Sequence, residues 1–77
     1  MKNLTLYSTV GCHLCDLAKE VIARCGRFNV TVVDIAEDSA LLGAYGVRIP
    51  VVVDLSTRKE LGWPFDEQAF SDWLKAL

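Results

Sequence analysis

Leu6-Tyr7-Ser8-Thr9-Val10-Gly11-Cys12-His13-Leu14-Cys15 joins a short apolar strand to an amphipathic helix, and this junction decides the reading of the chain. Asn3 to Ser8 is rich in strand formers, after which Gly11 breaks the pattern and lets the chain turn. From His13 onward Leu14, Leu17, Ala18, Val21, Ile22 and Cys25 recur at helical spacing, and Gly26 supplies the stop. The first-turn N–H groups of such a helix lack partners and carry partial positive charge. A thiol placed there is biased toward thiolate, the form that attacks disulfides. Cys12 and Cys15 can therefore close and reopen a small disulfide ring, which is how a C-x-x-C pair reads at a strand-to-helix junction.

Further along, Phe28 to Ile35 is β-branched and nearly unbroken in apolar character, which predicts a strand covered on both faces and paired parallel to the first. The two strands and the helix between them form a right-handed βαβ unit. Asp38 caps a short helix through Leu41, Leu42 and Tyr45 that Gly46 ends. Pro50 opens the strand Val51-Val52-Val53, and Ser56-Thr57 turns the chain into a strand from Arg58 to Gly62. Asp66 caps the last helix, with Phe65 and Phe70 at the spacing of a hydrophobic staple and Ala69, Phe70, Trp73, Leu74 and Leu77 on one side. The order βαβαββα predicts an α/β fold in one domain over residues 1–77, a four-stranded mixed sheet with helices on both faces.

A chain of 77 residues buries only about 60 to 65% of its unfolded surface, so its stability is modest. The 52% hydrophobic content still allows a core without a disulfide framework or structural metal. Three cysteines, an odd number, also argue against a stapled secreted scaffold. The net charge of -2, with eight scattered Lys and Arg residues, argues against nucleic acid as a partner. No apolar run approaches the roughly 20 residues that span a bilayer, and the first residues lack the pattern of a signal peptide. A cytoplasmic protein without membrane contact is expected.

The order of elements, the Leu6 to Cys15 stretch and Tyr45-Gly46-Val47-Arg48-Ile49-Pro50-Val51-Val52 together resemble the glutaredoxin branch of the thioredoxin superfamily. The resemblance is greatest to small bacterial glutaredoxin-like proteins with a C-x-L-C motif, and Glu60-Leu61-Gly62-Trp63 and Phe65-Asp66 fit it as well. It implies a thioredoxin-like fold in which Ile49-Pro50 is a cis-proline loop set against the active-site cysteines. It implies a thiol-disulfide oxidoreductase that reduces protein or glutathione mixed disulfides, with Cys12 as nucleophile and Cys15 as resolving thiol. The backbone at Ile49 and Pro50 would pair with an extended substrate, and Trp63 with Pro64 would form a lip of the groove. No bound cofactor is expected. Glutathione is a candidate co-substrate, glutathione or a flavoprotein reductase the recycling partner, and the chain is expected to be a monomer. Where many glutaredoxins have Cys-Pro-Tyr-Cys, this chain has His13 and Leu14 between its cysteines; Thr9 stands in place of a lysine that holds the glutathione carboxylate, and Gly62-Trp63 in place of a Gly-Gly turn.

Several residues carry two readings. His13 either tunes the redox poise of the pair when protonated or is a solvated first-turn residue. Leu14 reads as core, and Cys25 as a buried small hydrophobe or a third redox thiol. Asp16 suits the helix dipole yet opposes a thiolate by like charge. Tyr7 packs or hydrogen-bonds substrate, and Arg48 receives a carboxylate or is simply solvated. A metal or iron-sulfur reading needs four ligands, and Cys25 lies three turns from the pair, so a cluster would be shared between protomers. An interaction module with a purely structural disulfide is the third alternative.

Overall fold

In the computed structural model, which describes residues 2–77, the chain runs β1 (Asn3–Ser8), α1 (His13–Cys25), β2 (Asn29–Asp34), α2 (Ser39–Tyr45), β3 (Val51–Asp54), β4 (Glu60–Gly62) and α3 (Glu67–Lys75). The strands lie in the order β2-β1-β3-β4, with β1 parallel to β2, antiparallel to β3, and β3 antiparallel to β4. Side chains alternate across this sheet. Leu4, Leu6 and Val52 therefore point to one face, where they meet Ala18 and Ile22 of α1, and Phe65 and Phe70 at the start of α3. The other face receives α2, with Tyr7 stacked on Tyr45 at 4.5 Å between ring centroids. The mixed sheet with helices on both faces is the one the sequence predicts.

Local chemistry sets the helix starts. Asp38 accepts hydrogen bonds from the N–H groups of Ala40 (2.9 Å) and Leu41 (3.2 Å), and Asp66 from that of Ala69 (2.8 Å). Each such cap contributes about 1 kcal/mol. The Phe65 and Phe70 rings lie 6.0 Å apart, closing the staple over the second of these caps. Gly46 ends α2 in helical geometry, and any side chain there would overlap the Leu42 carbonyl oxygen.

Four expectations are corrected. β2 is an edge strand, not a strand covered on both faces: Val30 and Val32 are 37% and 47% exposed. β1 takes the position beside it and pairs on both sides, so the fully covered strand is β3, whose four residues are all buried. The buried face of α1 is Cys15, Ala18 and Ile22, while Leu14 and Leu17 are 45% and 47% exposed. One residue of helix is about 100° of rotation, and drawing Cys15 inward turns Leu14 outward. Cys25 is half-buried, packed beside the core with its thiol facing α3. Finally, β2 ends at Asp34, whose carboxylate accepts from the Ala36 N–H (2.9 Å) and caps a 3-10 turn at Ile35–Glu37; β4 starts at Glu60 because Arg58 turns with φ 64°.

The β3 to β4 turn is held by a buried charge. Asp54 accepts from the Thr57 hydroxyl (2.8 Å) and N–H (3.0 Å) and pairs with Lys2 (3.4 Å). The Thr57 bonds and then Lys2 hold its carboxyl below the ordinary carboxylate range, against the opposing effect of burial. A carboxylate lowered in the folded state stabilises fully above its unfolded pKa, and that stability is lost as pH falls through the folded value. Thr57→Val is thus expected to lower the urea midpoint at pH 7, with the gap from wild type closing as pH falls below about 4. A gap that is the same at every pH would show that Thr57 acts by some route other than the Asp54 charge.

Candidate functional site

Gly11 takes φ 79° and turns the chain out of β1, and the Cys12 N–H donates back to the Thr9 carbonyl (3.3 Å). Cys12 then becomes the N-cap of α1 with extended backbone, φ -81° and ψ 104°. Its sulfur occupies the place of a capping oxygen and accepts from the Cys15 N–H at 3.2 Å. Cys12 and Cys15 are joined as a disulfide with Cα atoms 5.3 Å apart. The two sulfurs are not equivalent. Cys12 is partly open to solvent, whereas Cys15 is 1% exposed on the core side of the helix.

The register of the sheet brings the other predicted residues to the same end. Tyr7 pairs with Val51 and Val51 with Gly62, so the Cys12 loop, Pro50 and Trp63 all leave the sheet together. The Ile49-Pro50 bond is cis, as the resemblance implies, and so is Trp63-Pro64, which the sequence did not indicate. Pro50 is buried and its carbonyl accepts from the Trp63 N–H (3.0 Å). Ile49 donates its own N–H to the Tyr45 carbonyl (3.1 Å). His13 is exposed, and its side chain has no hydrogen bond or ion pair among the described residues. Val10, two residues before Cys12, is 89% exposed, and Val47, three residues before Pro50, is fully exposed.

A cluster that the sequence did not reveal holds the proline loop. Glu60 of β4 accepts from the Tyr45 hydroxyl (2.5 Å) and pairs with Arg48 (2.9 Å), whose guanidinium also lies over the Tyr45 ring at 5.4 Å. The Glu60 bond, with some burial, pushes the Tyr45 hydroxyl pKa up to about 12, while Tyr45 and Arg48 hold the Glu60 carboxyl low. Residues 45, 48 and 60 become neighbours only when the hairpin forms, so no local spacing marks them. Arg48, a candidate receiver of a ligand carboxylate, already has one.

Beside Cys12, on the β2 side, lies a hollow of about 280 Å³ lined by Ser8, Gly11, Asp16, Lys19 and Asp34. Lys19 reaches Asp16 at 3.9 Å. Among the described residues no three His, Cys, Asp or Glu side chains gather as metal ligands, and no helix is long and apolar enough to cross a membrane.

The family model of the glutaredoxin-like domain (DUF836) matches residues 3–75. The X-ray structure of protein XcR50 from X. campestris is similar, with a TM-score of 0.86 and 46% identity over 96% of this chain and 97% of that one. Protein Ne2328 from Nitrosomonas europaea has a TM-score of 0.75 at 26% identity, over 94% and 89% of the two chains. A mutant thioredoxin from Halobacterium salinarum has a TM-score of 0.68 at 26% identity, over 96% of this chain and 72% of its own. No curated protein matches the chain.

Proposed function

Because the chain belongs to the glutaredoxin-like domain family (DUF836), we propose that it is a thiol-disulfide oxidoreductase working through Cys12 and Cys15. The observation that carries this reading is the asymmetry of the pair: an accessible Cys12 sulfur receiving the Cys15 N–H at 3.2 Å, and a buried Cys15 one turn behind it. In the reduced protein that N–H and the helix start stabilise a Cys12 thiolate. The thiolate attacks one sulfur of a substrate disulfide, forming a mixed disulfide and releasing the other sulfur as a thiol. Cys15 then attacks Cys12, closing the ring and releasing the second substrate thiol. Two electrons have passed to the substrate, and an external thiol, glutathione or a flavoprotein-linked dithiol, restores them. His13 would tune the poise of the pair, and the cytoplasm, where such reductants are kept reduced, would be its compartment.

Ile49, Pro50 and Trp63 would line the substrate groove. The exposed apolar Val10 and Leu14 beside Cys12, and the commitment of Arg48 to Glu60, support disulfide-bearing proteins over glutathione mixed disulfides as substrates. Parallel assays with insulin and with a glutathione mixed disulfide, under each recycling system, test this. Faster turnover of insulin is expected; preference for the glutathione compound would reverse the substrate assignment, and no turnover of either would end the enzyme reading.

Glu60 then acts as a positioning residue for the proline loop. Exposed ion pairs contribute roughly 0.2 to 1 kcal/mol, so Glu60→Gln is expected to raise KM about 1.5- to 5-fold while kcat changes little. Steady-state kinetics check it, and an equal fall in kcat would place Glu60 in the chemical step instead.

A further inference from the structure

β2 is the outermost strand on its side of the sheet, and its far edge has no partner among the described residues. The Asn29 N–H is donated to the Lys2 carbonyl (2.9 Å), on the β1 side. Alternation along the strand then turns the N–H and C=O groups of Val30, Val32 and Asp34 outward. Nothing blunts this edge: Asn29-Val30-Thr31-Val32-Val33-Asp34 contains no lysine, proline or glycine. Val30 and Val32 stand on the α1 side, 37% and 47% exposed, at the border of a groove of about 450 Å³ that Ile22, Ala23, Arg27 and Phe28 also line. Arg27, which lines this groove, stands just before the strand, and Asp34, which lines the hollow beside Cys12, ends it; Lys19 of α1 borders both and reaches Asp16 at 3.9 Å.

We propose that this edge pairs with the same edge of a second copy of the chain, antiparallel about a twofold axis through Thr31. An isologous contact of this kind needs one self-complementary surface, and the ends of β2 supply it. Antiparallel docking brings Arg27 of each copy to Asp34 of the other, whereas a parallel copy would set like charges together. The register follows from the outward backbone groups, which allow shifts only in steps of two residues. Centring on Thr31 puts Val30 opposite Val32 on the apolar side and Asp34 opposite Phe28, beside Arg27. Centring on Val32 would set Val30 against the Asp34 carboxylate. The contact is one strand wide, smaller than the roughly 1,200 Å² of a stable interface, so the dimer is weak and concentration-dependent. It departs from the monomer expected from the sequence.

Sedimentation of the full chain from about 10 μM to 1 mM tests this. The mass should rise from 8.5 kDa toward twice that value. Val32→Lys should hold it at the monomer mass, and so should Val32→Pro, which removes an outward N–H without breaking a bond to β1. Far-UV circular dichroism matching wild type confirms that each variant is folded. Only residue 31 meets its own copy on the axis, at a separation a disulfide can span, so Thr31→Cys should cross-link on oxidation at least tenfold faster than Val32→Cys, with wild type as the blank. A monomer mass at 1 mM, or equal cross-linking at the two positions, would overturn the proposal.

Discussion

Cys12→Ser is expected to abolish disulfide reduction, lowering the rate on the order of a thousandfold or more, because no other thiol can take its place as nucleophile. Cys15 is 1% exposed and cannot meet a bulky disulfide. Cys25 sits at the other end of α1, its thiol 3.7 Å from the Glu67 carbonyl and 3.8 Å from the Ser71 hydroxyl. Cys15→Ser is expected to behave differently. Attack by Cys12 survives, resolution does not, and the mixed disulfide accumulates as an adduct whose added mass is that of the substrate half. Insulin reduction and intact-mass spectrometry read the two outcomes. Full activity in Cys12→Ser would remove the site, and an adduct on Cys12→Ser would reverse the order of the two thiols.

Phe70→Ala is expected to cost about 3 to 5 kcal/mol, the largest effect on stability of any single truncation in this core. The ring is fully buried and lies 5.7 Å from Phe28, 6.0 Å from Phe65 and 5.7 Å from Trp73. It thus ties α3 to the segment entering β2 and to the Trp63-Phe65 pair that follows β4. Domains of this size hold about 5 to 15 kcal/mol in total, and 1 kcal/mol moves the melting midpoint by roughly 4 to 8 °C. A fall of at least about 12 °C should therefore appear in a thermal melt followed by circular dichroism. A fall of under about 4 °C would mean that the surrounding rings close over the gap.

The sequence was most legible where the signal is local. Asp38 and Asp66 announce their helices because a cap acts over two or three residues, and Cys12 and Cys15 declare themselves by their spacing together with their place where a strand gives way to a helix. It was least legible where the answer depends on neighbours distant in the chain. Val30, Val32 and Val33 read as a buried strand, since apolar character does not say which side of β1 remains open. The stripe on α1 was right at Ala18, Val21, Ile22 and Cys25 but drawn too wide at Leu14 and Leu17, because these are as apolar as the rest and only the sheet decides which edge of the helix is covered. Tyr45, Arg48 and Glu60 each stand in a stretch that carries the resemblance, yet nothing in the sequence says that their side chains join. Their cluster draws on two elements that meet across the face opposite α1.

The outward turn of Leu14 sets what kind of attraction the site can exert. Between the two cysteines, and with Val10 two residues before them, it leaves apolar surface wet in the segment that carries the pair. A visiting chain that covers this surface gains chiefly by releasing water, not by matching charge. That part of an encounter holds its strength as salt rises, since screening acts on charge and not on apolar contact, and it leaves a negative heat-capacity change as its calorimetric trace. In the oxidoreductase proposed above, disulfide substrates would then be told apart there by how much hydrocarbon they carry beside the cysteine, a coarse criterion.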